Sequence, residues 1–177
     1  VQYVGFDTKL PALDALASTP AVIDGIIAGM SVEDLAWKPA PDRWSIGEVL
    51  LHLAHCEQHC FVRRAEDMLA QDEPAVQPYN VEDFSAADWG SNNDGKAALT
   101  CLRQLRREIL DLLEIQPATA GERGGLHPDL GRITLAELLN EWAFHDLGHI
   151  RQIAEIVRTR RFYPEMGPFR PLYRVNP

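Results

Sequence analysis

Cysteine is scarce in this chain: Cys56, Cys60 and Cys101 are the three in 177 residues. An odd, low number without framework spacing excludes a disulfide scaffold and fits a reducing, cytoplasmic setting. Long apolar runs are absent. No stretch approaches the roughly 18 residues of a membrane-crossing helix, and the first residues lack the basic start and compact apolar core of a secretory signal. Positive charge is also in short supply, with 17 Lys and Arg against 26 Asp and Glu and a net charge of −9. That balance argues against nucleic-acid or anionic-membrane partners, which are held through Lys and Arg. The basic clusters RQLRRE (103–108) and RTRR (158–161) read as solvated helix faces or C-terminal turns favoured by the helix dipole. Few segments show the period-2 alternation of strands.

Helical signals fill the space left by these absences. Residues 10–29 are apolar at helical spacing but carry Pro11 and Pro20. Thr19-Pro20 reads as an N-cap followed by proline at the first helical position, and Gly25 and Gly29 weaken the helix, so a bent or two-piece helix is expected. SVED (31–34) starts a short helical turn before the proline-rich corner WKPAPDRW. Ser45-Ile-Gly-Glu48 is a capping box, opening a long helix to about Asp72. A loop-rich crossover, EPAVQPYNVEDFSAADWGSNNDG, leads to an amphipathic helix from about Asp94 to Ile115. The segment 116–133 is rich in Gly and Pro and reads as a loop. Thr134-Leu-Ala-Glu137 is a second capping box, opening a helix to about Arg160. With no repeat and no domain linker, residues 1–177 form one domain. The expected fold class is all-α: a four-helix bundle with short extra helices and one long crossover.

The last helix carries an anomaly, NEWAFHDLGHIRQ (140–152). At roughly 100° per residue, Asp146 falls about 20° from the centre of its apolar face, His149 about 40° and His145 about 80°. Three titratable groups therefore point inward, where an unpaired polar group costs roughly 1–3 kcal/mol or more. Two histidines four apart stack on one face and can grip one metal ion. A buried hydrogen-bond network around Asp146 is the alternative, at even weight. The helix from Ser45 carries LHLAHCEQHC. There His55 lies about 180° from the apolar face and His59 about 140°, both toward solvent, with His52 on the flank at about 120°. Glu57 falls within about 20° of the centre of that face, as a ligand, a support for a ligand, or the partner of a buried Arg or Trp N–H. Cys56 and Cys60 read as small buried hydrophobes, since no C-x-x-C pair accompanies them. His127, in GGLHPDLG, reads as a surface or capping residue.

Taken together, WKP…RWSIGEVLLHLAHCE and HPDLGRITLAELLNEWAFHDLGHIRQI resemble the DinB/YfiT-like superfamily of four-helix proteins over roughly residues 10–160. The shared features are Trp44-Ser45 at a helix start, His52 seven residues on, and His145-Asp146-x-x-His149 on the final helix. The resemblance implies an up-up-down-down-type bundle, a homodimer, and a divalent metal held by His52, His145 and His149. It also pairs His52 with Glu57 as an H-x-x-x-x-E motif.

Three neutral imidazoles leave positions open on a divalent ion, which is a catalytic arrangement, and suit Zn, Ni, Fe or Co. Asp146 is then a candidate for proton transfer or for orienting an imidazole. Glu57 and Glu141 are candidates for supporting the ligands from outside. The family implies a small-molecule substrate, with transfer of a low-molecular-weight thiol slightly preferred over hydrolysis. Arg43 or Arg123 would hold a carboxylated thiol. The alternative is a non-catalytic metal-binding stress-response module.

Overall fold

Serine and threonine caps set three of the helix starts. In the computed structural model, which describes residues 9–79 and 95–175, Ser31, Ser45 and Thr134 each close a capping box with Asp34, Glu48 and Glu137. The helices are α1 (Leu13–Ile26), α2 (Val32–Ala36), α3 (Ile46–Cys56), α4 (Val62–Ala70), α5 (Gly95–Glu114) and α6 (Leu135–Val157). A π-helical turn, Glu57–Phe61, joins α3 to α4, so the two form one long rod with a widened turn in its middle. A second π turn, Arg158–Phe162, extends α6, and a 3₁₀ segment, Tyr163–Leu172, follows with a kink at Gly167. The crossover before α5 lies largely outside the described residues.

The bundle places α1 and α3 each against both α5 and α6. The approach of α3 to α5 is close: a Cβ on Gly95 would meet the Gly47 Cα at 3.0 Å. Among the described residues, no helix is long and apolar enough to cross a membrane.

Two expectations are corrected. The Thr19-Pro20 break does not occur, because α1 runs from Leu13 to Ile26 with Pro20 inside it. Proline lacks the N–H that would bond the carbonyl four residues back, here Leu16. Instead, Arg106 Nη1 donates to that carbonyl oxygen at 2.6 Å. The segment 116–133, expected as a loop, contains a 3₁₀ turn (Ala118–Glu122) and an antiparallel pair, β1 (Gly124–His127) with β2 (Gly131–Thr134). His127 caps its turn, accepting from the Asp129 and Leu130 N–H groups at Nδ1, and Gly131 supplies the positive φ of 75°.

The core is split into two apolar halves. One gathers Leu16, Phe61, Met68, Ile109, Leu139 and Trp142, and the other Ile23, Leu50, Leu53, Leu102, Ile153 and Ile156. Between them the same level of the bundle carries Thr19 and Pro20 on α1, Glu57 after α3, Arg106 on α5 and Asp146 on α6, all buried. A polar layer therefore crosses the bundle, and the inward-facing histidines border it.

Candidate metal centre

The polar layer is built on Arg106. Its Nε and Nη2 donate to the two carboxylate oxygens of Glu57 at 2.7 and 2.8 Å. Its Nη1 donates to Asp146 Oδ2 at 2.9 Å as well as to the Leu16 carbonyl. Trp142 Nε1 donates to Glu57 Oε2 at 3.1 Å. Burial pushes the Glu57 carboxyl upward, and the Arg106 guanidinium works against that. With three N–H donors aimed at its oxygens, Glu57 is hydrogen-bonded as the carboxylate. Two carboxylates against one guanidinium leave the cluster with one formal negative charge in excess.

Glu57 is thus the partner of both a buried Arg and a buried Trp. Asp146, a candidate for proton transfer, is 2% exposed and occupied by Arg106, so its role in this structure is to fix α6 against α5. The two carboxylates directly follow Cys56 and His145 in the chain, so Arg106 also ties down the helices that bear them. The basic run containing Arg106 was expected on a solvated face. Its position betrays it: Arg106 lies four residues after Leu102 and three before Ile109, both core residues, and so shares their stripe.

Beside this layer the imidazoles gather. His52 is 3% exposed although only marginally inward on the helical wheel, because Leu51 and Ala54 are buried too and α3 is enclosed almost all round. His52 Nε2 and His145 Nε2 face each other at 3.2 Å. Cys56 Sγ lies 3.5 Å from His52 Nε2 and 3.7 Å from its Nδ1. One ligand atom each from His52, Cys56 and His145 falls within 4.8 Å of the others. His149 lies beside this group and is not one of its three members. Its ring centroid is 4.8 Å from that of His52 and 4.6 Å from that of His145, and its Nδ1 contacts Gln152 Oε1 at 3.0 Å. Trp44 stacks on His149 at 6.3 Å and tilts over His52 at 4.9 Å.

Electrostatics keep these rings neutral. Burial, reinforced by the neighbouring imidazoles, pushes His52 down to about 3. Burial with His149 and Arg106 pushes His145 to about 4, and burial lowers His149. Burial raises the Cys56 thiol to about 12. His145 Nδ1 is buried with no hydrogen-bond partner among the described residues. Neutral imidazole is the ligating form. Bonds of about 2.0–2.1 Å in a tetrahedral site put two nitrogens about 3.3 Å apart, close to the separation observed here. The donor set therefore fits a divalent metal ion.

The other candidates lie apart from this group. His59 is exposed, and His55 is half-buried with Nδ1 at 3.2 Å from the Tyr79 hydroxyl. Arg123 is tied to the Met68 and Gln71 carbonyls at the end of α4, where helix carbonyls lack internal partners. It is therefore not available to hold a substrate at the histidines. Arg43 does line the cleft that opens beside them. This cleft, about 880 Å³, is bordered by Arg43, Glu141, His145, His149, Arg151 and Arg174. None of its three arginines has a carboxylate partner among the described residues, and burial raises the Glu141 carboxyl.

Known proteins resemble this chain over most of its length. A family profile described as the DinB superfamily matches residues 15–153. A Bacillus subtilis (strain 168) protein named "Putative metal-dependent hydrolase YfiT" is 26% identical over 147 residues, covering 82% of each chain. An Oceanobacillus iheyensis protein named "Putative metal-dependent hydrolase OB0782" is 19% identical over 148 residues, covering 84% of this chain and 85% of that one. Among solved structures, one titled "YfiT from Bacillus subtilis is a probable metal-dependent hydrolase with an unusual four-helix bundle topology" superposes with a TM-score of 0.75. It is 24% identical and the superposition covers 90% of this chain and 91% of that one, so the two share a fold. The bundle fold and the profile match over residues 15–153 together establish that this chain belongs to the DinB superfamily.

Proposed function

We propose that the protein is a divalent-metal-dependent enzyme, hydrolytic in type, acting on a small anionic substrate in the cleft beside α6. The observation that carries this reading is the 3.2 Å approach of His52 Nε2 to His145 Nε2, with His145 on the wall of the cleft. His52, His145 and His149 would hold the ion, with Zn, Ni, Fe and Co all suited to imidazole. Such an ion supplies Lewis acidity when bound. The names of the two curated relatives support hydrolysis as the reaction type.

The chain's own residues supply the rest. Arg43, Arg151 and Arg174 outnumber Glu141 and Glu155 in one cleft of a chain whose net charge is −9, which suits a carboxylate or phosphate. Glu141 stands one helical turn before His145 on the cleft wall. From there its carboxyl, raised by burial, can reach a substrate bound in the cleft. Trp44 covers two of the imidazoles and limits their access to water.

The cationic lining supports a second reading, transfer of a low-molecular-weight thiol, because such thiols carry carboxylates. One experiment addresses both. Purified protein and His149→Ala are compared by element-resolved metal analysis, then assayed on ester, amide and phosphoester panels with and without thiols. About one equivalent of transition metal, reduced in the variant, with hydrolysis independent of thiol, is the expected result. Turnover only with a thiol and an electrophile selects the second reading. No metal after reconstitution with Zn, Ni, Fe or Co overturns both.

A further inference from the structure

We propose that Gln152 is a positioning residue of the metal centre, holding His149 in the tautomer that offers Nε2 to the ion. The inference rests on the metal reading above and gives a role to a side chain that is not itself a ligand. Gln152 Oε1 stands 3.0 Å from His149 Nδ1. A carboxamide oxygen can only accept, so Nδ1 carries the ring proton and donates it. A neutral imidazole has one N–H, and Nε2 is therefore left with its bare lone pair.

Three further observations give that bond a purpose. Gln152 follows His149 by three residues within α6, so the two side chains share one helix face and the contact needs no other element. His52 and His145 approach each other through Nε2, so a bare Nε2 on His149 gives the three rings the same donor atom. Trp44 stacks on the His149 ring at 6.3 Å with 14° between the planes. The ring is thus fixed on a face by Trp44 and on an edge by Gln152, and a flip that exchanged its two nitrogens would break the hydrogen bond. His145 Nδ1 has no such acceptor among the described residues.

The consequence for binding is direct. A ring with its proton on Nε2 must move that proton before it can ligate through that atom. With Nδ1–H held by Gln152, His149 ligates through Nε2 and releases no proton. Acceptors that hold the second N–H of a ligating histidine are worth about 10–100-fold in metal affinity. His149 lies beside the close group of His52 and His145 rather than within it, so its orientation decides whether the third nitrogen is ready for the ion.

Long-range proton–nitrogen-15 spectra of metal-free protein read the tautomer of each histidine ring, and zinc titration against a competing chelator reads affinity. Wild type, Gln152→Glu and Gln152→Leu are compared, with the His149 signals identified by their loss in His149→Ala. Wild type should show His149 protonated on Nδ1. Gln152→Glu keeps an acceptor and should keep both the tautomer and the zinc affinity. Gln152→Leu removes the acceptor, so Nε2 should take up the proton and zinc should bind at least about tenfold more weakly. A wild-type His149 protonated on Nε2 overturns the role of Gln152 and leaves the metal reading standing where zinc still binds. Zinc affinity unchanged in Gln152→Leu, or weakened there with the tautomer unchanged, does the same. No zinc bound by wild type overturns the metal reading as well. Should Gln152→Leu not fold, the tautomers of wild type and Gln152→Glu decide.

Discussion

Replacing Arg106 with methionine tests the polar layer most directly. Methionine keeps the unbranched stem but removes every donor. Glu57 would lose its bidentate partner and keep only the Trp142 N–H, Asp146 would lose its ion pair, and the Leu16 carbonyl would be left unpaired beneath Pro20. Removing one partner of a buried ion pair costs about 3–5 kcal/mol. At about 2–4 °C per kcal/mol for a chain of this size, Tm should fall by about 6–20 °C. The deficit should also depend on pH. Burial already raises the Glu57 carboxyl, and without the guanidinium nothing comparable opposes that rise. A carboxyl whose folded value lies above its unfolded value favours the folded state at low pH and loses that contribution as pH rises through the folded value. Measured by thermal unfolding against wild type at each pH, the gap should be widest near pH 8 and narrower near pH 5. A loss under about 1 kcal/mol, or a gap that widens on acidification, would refute the account of this layer.

Further outcomes follow from the same contacts. Pro20→Ala restores an N–H that can bond the Leu16 carbonyl, so a thermal double-mutant cycle with Arg106→Met should show the alanine recovering about 0.5–1.5 kcal/mol only in the methionine background. Strict additivity would mean that Arg106 is not the substitute for the missing helical bond. In metal-free protein, His52 and His145 are held well below the ordinary value, so the unfolded chain binds protons that the folded chain does not. Stability present above about pH 6.5 should therefore be lost as pH falls toward 4, and His52→Gln should flatten that slope in chemical-denaturation curves. Thr134→Ala removes a cap accepting from the Glu137 N–H and should cost about 1 kcal/mol, seen as about 2–4 °C in Tm by circular dichroism.

Local interactions made most of the bundle legible from the chain alone. A capping box is settled within four residues, so Ser45/Glu48 and Thr134/Glu137 mark the starts of α3 and α6 without reference to any other element. Helical periodicity likewise turns Asp146 and His149 inward, since a face is a property of one helix. Glu57 was readable as an inward carboxylate for the same reason. Partners were not. The break expected at Pro20 is a sound local inference, undone by a guanidinium from a helix 86 positions further along the chain. His52 looks marginal on a wheel and is buried because α3 is surrounded on nearly every side. The strands of the small hairpin carry glycines and no alternation, and it exists because β1 pairs with β2 and Leu126 bonds to Pro74 and Val76.

The sequence by itself therefore determined where α3 and α6 begin and that Glu57, Asp146 and His149 turn inward, because those depend on backbone geometry over a few residues. Tertiary structure alone decided which of them meet. It joined Arg106 to Glu57, Asp146 and Leu16, and brought His52, Cys56 and His145 from two helices to one point. The separations that matter there, about 3 Å, are fixed by how whole helices pack, and no single helix encodes them.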